Sequence, residues 1–248
     1  MTHYLLQSGN ILTTEKAACI RTDNKSTWTS YSNLFDAISQ LLLTEDILDI
    51  IPVGSVEFCR AYAKIIGLTL PDDFSYGSID LSIMLPYLKR KINKTTFALA
   101  KDCSFVKPVY TKLFTGDLKC NIAESDLSDF EVWESEAVEF AAEFRFYIHQ
   151  DRVIGYSRYD SLDCECNEPD YSLVQEIIKS QNSFPVAYSI DIGWRDDINE
   201  WCLIELNDAW ALGFYNNRDL MSKPPTGSEY AMMLAERWRQ IVQGQLLK

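Results

Sequence analysis

Histidine is nearly missing from this chain: its 248 residues include only His3 and His149. A mechanism built on a histidine base, or a metal centre built from several imidazoles, has almost no material here. Positive charge is also short. Lys and Arg number 23 against 36 Asp and Glu, a formal net charge of −13. That balance argues against nucleic acid as a partner, because a phosphate backbone calls for a basic face. It leaves a single nucleotide open, since ATP needs only a few local cations and a metal ion. No apolar run approaches the roughly 20 residues of a membrane span; the longest, such as Ile38 to Leu43, is short and has polar flanks. The N-terminus has no charged segment followed by an apolar run and a cleavage site. Internal repeats and low-complexity tracts are absent. The seven cysteines, an odd number, are expected to be reduced thiols in a cytoplasm. Cys164 and Cys166 form the one close pair. They lack the two-residue spacer of zinc knuckles and have no matching second pair, so a polar loop is expected there.

What is present is ordinary globular material, 47% apolar and 24% charged. Residues 1–78 read as a small Rossmann-like α/β domain. Tyr4 to Gln7 is a strand, Leu34 to Leu43 has helical apolar spacing, and Ile50 to Val53 is a strand running into Gly54. Ser55 is an N-cap for a helix from Val56 to Ile66, and Gly67 is its C-cap. Pro71 to Gly77 reads as a turn-rich linker. Ile79 to Lys91 reads as a helix interrupted near Pro86. Its end carries Lys89, Arg90, Lys91 and Lys94, read as a solvated basic helix terminus.

Beyond Ser104 the pattern turns to strands: Phe105 to Val109, Glu131 to Glu136, and a hairpin of Glu143 to His149 with Arg152 to Tyr159. A helix at Leu173 to Ser180 precedes a second hairpin, Ala187 to Gly193 with Glu200 to Leu206. A long amphipathic helix, Ser228 to Leu246, ends the pattern. The fold class is therefore α+β, with a ligand cleft between the parts.

The strongest chemical constellation lies in the second hairpin. Asp191 is a lone carboxylate within Ser189-Ile190-Asp191-Ile192-Gly193, and Glu205 and Asn207 lie two apart in Leu203-Ile204-Glu205-Leu206-Asn207-Asp208. Residues two apart in a strand share a face. If the strands pair, three oxygen donors converge among apolar neighbours, which suits Mg²⁺. A wet hairpin edge would show the same polar residues, but buried carboxylates need a partner or a metal. Lys107, in Phe105-Val106-Lys107-Pro108, and Lys112, in the turn that follows, could hold phosphate oxygens as point charges. They could equally be surface lysines. Gly116 would end a flap or a plain turn. Arg145 and Arg158 are single cations in aromatic strands, able to stabilise charge on a transferred phosphoryl group or to pack on tyrosines.

The order FVKP, a turn with lysine, VWESE, EFRFYI, GYSRY, SIDIG, LIELND resembles the ATP-grasp superfamily. Within it, the chain is similar to the clade whose name records one arginine and two lysines. The resemblance covers roughly residues 79–215 and implies an ATP-grasp domain at 79–248, its nucleotide cleft between halves of about 79–138 and 139–248. By that resemblance Lys107 and Lys112 contact ATP phosphates, and backbone groups near Glu136 and Val138, in a linker from Trp133 to Val138, read the adenine edge. The same resemblance would have Glu143 bind the ribose, Arg145 and Arg158 face the phosphate region, and Asp191, Glu205 and Asn207 hold magnesium. The loop Tyr110 to Gly116 departs from the family's glycine-serine run. The implied activity is an ATP- and Mg²⁺-dependent ligase joining a carboxylate to an amine or thiol through an acyl phosphate. A small-molecule kinase, or an ATP-binding assembly factor whose aromatic segment Trp210 to Tyr215 meets a protein, are the alternatives. The acidic loop Ser161 to Tyr171, with Asp163, Glu165, Glu168 and Asp170, could recognise a cationic amine or be plain solvated surface.

Overall fold

The computed structural model describes the chain except for residues 10–12, 23, 72–73, 77–80, 111–113, 124–126, 161–167, 181–183, 218–220 and 247–248, and the side chain of Leu246. The first unit is a parallel sheet of β1 (His3–Gln7), β2 (Lys25–Thr29) and β3 (Ile50–Val53), in the order β2-β1-β3. Helices α1 (Thr13–Ile20), α2 (Leu34–Leu41) and α3 (Val56–Ile65) connect and cover it. The expected boundaries of α3 have a local cause. The Ser55 hydroxyl accepts the Phe58 N–H, and Gly67 stands at φ +74°, where a helix is closed most easily by glycine. Neither α1 nor β2 was foreseen: α1 buries two charged side chains, Glu15 and Lys16, and so lacks a clean apolar stripe.

Next come α4 (Leu81–Leu88) and β4 (Ile92–Thr96). Helix α4 runs through Pro86 without interruption, which corrects the expected break; Lys89 then turns into left-handed backbone at φ 49°. Of the supposed basic helix end, Lys94 lies instead in the edge strand β4, and Lys89, Arg90 and Lys91 in the connection before it. β4 pairs with β7 (Glu131–Ser135), which pairs with β5 (Phe105–Pro108), which pairs with the short β6 (Asp117–Leu118). Charges suit an edge, which one partner leaves half open. The Lys94 ammonium lies 4.5 Å from the centre of the Trp133 ring.

The largest sheet has the order β11-β10-β8-β9. It is built from two antiparallel hairpins, β8 (Ala142–His149) with β9 (Arg152–Arg158), and β10 (Ala187–Arg195) with β11 (Glu200–Asp208), with α5 (Tyr171–Lys179) between them in sequence. Gln150 and Asp151 both adopt positive φ, the geometry of a tight hairpin turn. One face of this sheet, including Phe144, Phe146, Ile190, Ile192 and Leu203, packs with α4 and α5. Phe74 and Tyr76 join that core, so the segment expected to be a linker at Pro71 to Gly77 is packed where it is described.

The last helix, α6 (Gly227–Leu246), begins with a capping box. Thr226 accepts the Glu229 N–H, and the Glu229 carboxylate accepts the Thr226 N–H. Its apolar side, with Tyr230, Leu234 and Trp238, shares one core with β1, β3 and α3. Trp210 and Phe214 are buried in the same core, so the aromatic segment is not an exposed docking surface. Among the described residues no helix is long and apolar enough to cross a membrane. The described cysteines, Cys19, Cys59, Cys103, Cys120 and Cys202, are free thiols.

Candidate functional site

The polar face of the large sheet assembles the site. On β8, Glu143 and Arg145 share that face. On β10, Asp191 pairs opposite Arg145, and on β11, Glu205 pairs opposite Asp191, with Asn207 opposite Ser189. This last register depends on a bulge. Ile192 pairs with Leu203 but Asp191 pairs with Glu205, which leaves Ile204 as the extra residue. Without that extra residue Asp191 would face Ile204, and Glu205 would turn into the apolar core.

Arg90 holds the bulge. Its guanidinium donates to the Leu203 carbonyl at 2.8 Å, the Ile204 carbonyl at 2.7 Å and the Ser135 hydroxyl at 3.2 Å. One side chain thus ties β7 to β11 at the step that sets Glu205. Sequence reasoning placed Arg90 on a solvated helix end and missed it; nothing local marks an arginine whose partners are carbonyls more than a hundred residues away.

Two ion pairs dominate the electrostatics. Arg145 grips Asp191 with two parallel bonds, Nε to Oδ1 at 2.8 Å and Nη2 to Oδ2 at 2.6 Å. Lys107 donates to Oε2 of Glu205 at 2.6 Å, its ammonium 4.6 Å from the centre of the Tyr76 ring. The Asn207 amide joins the acids, donating at 3.1 Å to both Asp191 Oδ2 and Glu205 Oε1. Burial pushes the Asp191 carboxyl up, although the charge and hydrogen bonds of Arg145 pull the other way. Burial acts on Glu205 in the same sense. There the Lys107 charge and hydrogen bond, helped by Arg145 and Asn207, win and hold it at about 2. Glu143 is raised by burial and by repulsion from Asp191, Asp160 and Glu205, against a hydrogen bond from Tyr159.

Two cavities meet at Glu205 and Asn207. One, of about 540 Å³, runs past Lys107, Tyr110, Phe114 and Gly116 to Arg60 and Trp210. The other, of about 570 Å³, holds Arg145, Asp191, Tyr159 and Tyr215, with Glu15, Ser55 and Gly213 on its far wall. Val56 and Ala211 line both.

The structure thus brings Lys107, Glu143, Arg145, Asp191, Glu205 and Asn207 to one face. Arg158 departs from the expected arrangement. It pairs opposite Phe144, on the face turned from Arg145, and its Nε binds Asp160 at 2.8 Å. The linker starts later than expected, since Trp133 to Ser135 belong to β7 at the middle of its sheet. Glu136 spends its N–H on the Lys91 carbonyl and receives the Ser135 hydroxyl on its own carbonyl, so it does not present a free edge for adenine. Val138 is half-buried in the connection that follows. Asp170, in the acidic loop, caps α5 through the Ser172 and Leu173 N–H groups. Lys112, Asp163, Cys164, Glu165 and Cys166 lie outside the described residues. Glu15, Tyr159 and Tyr215 were missed, Glu15 because α1 was not recognised.

Residues 87–221 match the model of an ATP-grasp domain family, the second family of the clade named for one arginine and two lysines. Among solved structures, the chain is similar to the L-amino acid ligase from Bacillus licheniformis, with 11% identity, TM-score 0.53, and coverage of 98% of this chain and 75% of that one. It is also similar to D-alanine–D-alanine ligase from Bacillus anthracis, with 12% identity, TM-score 0.51 and coverage of 100% and 99%. A third is N5-carboxyaminoimidazole synthase from Aspergillus clavatus, with 10% identity, TM-score 0.51 and coverage of 95% and 77%. At such identities the likeness is one of fold. No curated protein matches the chain significantly.

Proposed function

The chain belongs to the ATP-grasp superfamily, in the second family of its one-arginine, two-lysine clade, and from that premise we propose that it is a Mg²⁺- and ATP-dependent ligase joining a carboxylate to an amine or thiol through an acyl phosphate. The observation that carries this reading is the trio Asp191, Glu205 and Asn207, linked by 3.1 Å hydrogen bonds, beside the ion pair of Lys107 with Glu205.

The donor set suits magnesium. It offers carboxylate and amide oxygens, and among the described residues no sulfur or imidazole joins them. Among the described residues no cluster of three or more His, Cys, Asp or Glu could hold a metal by itself. Two carboxylates and an amide are the kind of oxygen set through which magnesium is held alongside a nucleotide. Asn207 would serve through Oδ1, after a half-turn of its amide. Asp191, Glu205 and Asn207 would hold the ion there, and it would supply positive charge beside the phosphates.

The chain's own residues would do the positioning. Lys107 would take a phosphate oxygen as it leaves Glu205. Arg145 holds Asp191 rigid and adds positive charge where the phosphoryl group passes. The Tyr159 hydroxyl holds Glu143, the candidate ribose receptor. In this reading Lys112 keeps a phosphate contact and Val138 an adenine contact, whereas Arg158 and Glu136, engaged with Asp160 and with Lys91 and Ser135, take no part. In the division we propose, residues 1–78 shape the acceptor side, and 79–138 and 139–248 close on ATP.

The test incubates the protein with Mg²⁺, ATP and pairs of candidate acids and amines, following ADP, phosphate and the coupled product. Glu205→Ala and Asp191→Ala are expected to abolish turnover. Full turnover in both variants would refute the assigned site.

A further inference from the structure

We propose that the larger cavity contains a subsite for a primary ammonium group, with the Glu15 carboxylate as its receptor. The inference rests on the ligase reading only in taking that ammonium to be part of the acceptor.

Glu15 lies in the first turn of α1, yet it is only 7% exposed. Its Oε1 accepts the Phe214 N–H at 2.8 Å. No salt bridge within 4 Å reaches it among the described residues, and Oε2 is not one of the fully buried atoms left without a partner, so it opens to the cavity rather than to a protein donor. A carboxylate so far out of water calls for a cation or several donors. One backbone N–H leaves most of its acceptor capacity unused. The side chain borders the same 570 Å³ cavity as Arg145, Asp191 and Glu205, so a ligand cation in that cavity can supply what the fold does not.

Gly213 gives the second, independent observation. A Cβ built on it would come 3.4 Å from Arg145 Nη1 and 3.7 Å from Glu15 Oε1. The backbone therefore leaves a methyl-sized gap between a guanidinium and a carboxylate that do not pair with each other. Opposite charges across one ligand-sized space select a molecule with a cationic head and an oxygen-rich end. Its class is a primary amine with a carbonyl or carboxylate nearby, either a free amino acid or a peptide N-terminus.

The probes are glycine, glycinamide and glycylglycine, with N-acetylglycine as the amine-free control. Each is titrated by calorimetry into the protein alone and into the protein saturated with Mg²⁺ and a non-hydrolysable ATP analogue. The amines are expected to bind and N-acetylglycine is not. Glycine preferred over glycylglycine identifies a free amino acid; the reverse identifies a peptide end. Glu15→Gln keeps the shape and removes the charge, and Gly213→Ala fills the gap; each should weaken amine binding about tenfold or more. Glu57→Gln, an exposed carboxylate on the rim of the same cavity, should retain it. Equal binding to wild type and Glu15→Gln, equal loss in Glu57→Gln, binding of N-acetylglycine as tight as that of glycinamide, or no amine binding would each overturn the proposal. Absence of analogue binding with amine binding retained would instead sink the ligase reading and leave the subsite standing.

Discussion

The ammonium of Lys107 stands 2.6 Å from a carboxylate oxygen of Glu205, joining a strand of one sheet to a strand of the other. Each partner is therefore spoken for by the other. A metal on Glu205 and a phosphate on Lys107 would each take one member of the pair. Removing Lys107 should consequently move two affinities in opposite directions. In Lys107→Ala, Mg²⁺ alone is expected to bind more tightly, because its competitor for Glu205 is gone. ATP is expected to bind more weakly by on the order of 1–3 kcal/mol, the worth of a charge-assisted contact. Calorimetric titration of each ligand checks both signs, and two affinities that fall together would contradict the exchange.

The same pair gives the protein an acid-labile contribution to stability. Lys107 holds Glu205 at about 2, below the ordinary value of 4.5. A depressed carboxyl binds fewer protons folded than unfolded, so its contribution is complete above about pH 4.5 and fades as pH falls toward 2. The expected loss is up to about 3 kcal/mol over that window. Urea midpoints measured from pH 6 down to about 3 should fall less steeply in Lys107→Ala than in the wild type. Parallel curves would show that Lys107 does not set the titration of Glu205.

Much of this arrangement was legible in the chain. Apolar residues alternating around Asp191 and Glu205 marked two deep strands, and the two-residue step from Glu205 to Asn207 put both on one face. Ser55 and Gly67 marked the ends of α3. The extra residue Ile204 was not legible, although the shared face of Asp191 and Glu205 depends on it. A bulge has no composition of its own; it is set by carbonyl partners supplied from elsewhere, here by Arg90. Glu15 was hidden for a related reason. A helix whose first turn is buried carries charges where amphipathic patterning expects apolar side chains.

Arg90 should therefore act on metal binding without touching the metal site. Its fork meets two carbonyls of the bulge and one hydroxyl, and a lysine, with a single ammonium, cannot span all three. Arg90→Lys is expected to cost about 1–3 kcal/mol of stability. It should also weaken Mg²⁺ affinity well beyond that of a surface substitution, because Glu205 loses its fixed register with Asp191. Unfolding curves and Mg²⁺ titrations on the same variant separate the two effects. Lost stability with unchanged Mg²⁺ affinity would reduce Arg90 to a packing residue.

Asp208 offers the reverse case, an acid next to the site whose work is structural. It ends the motif that carries Glu205 and Asn207, but its odd step from both turns it to the other face of β11. The structure commits it elsewhere. Both its oxygens are taken by Arg237 of α6, at 2.7 and 2.6 Å, and it caps the short turn at Ala209–Ala211 through the Trp210 N–H. Asp208 and Arg237 have side chains only 7% and 8% exposed, so Asp208→Ala would strand a buried guanidinium. Removing one member of such a pair costs about 3–5 kcal/mol. Asp208→Ala should accordingly lower the urea midpoint more than Glu205→Ala does, because Glu205 is the more exposed of the two acids, at 27%. Below the unfolding transition, Mg²⁺ affinity should survive in Asp208→Ala and be lost in Glu205→Ala. If Mg²⁺ affinity were lost in Asp208→Ala while the fold held, the metal site would extend one residue further along β11.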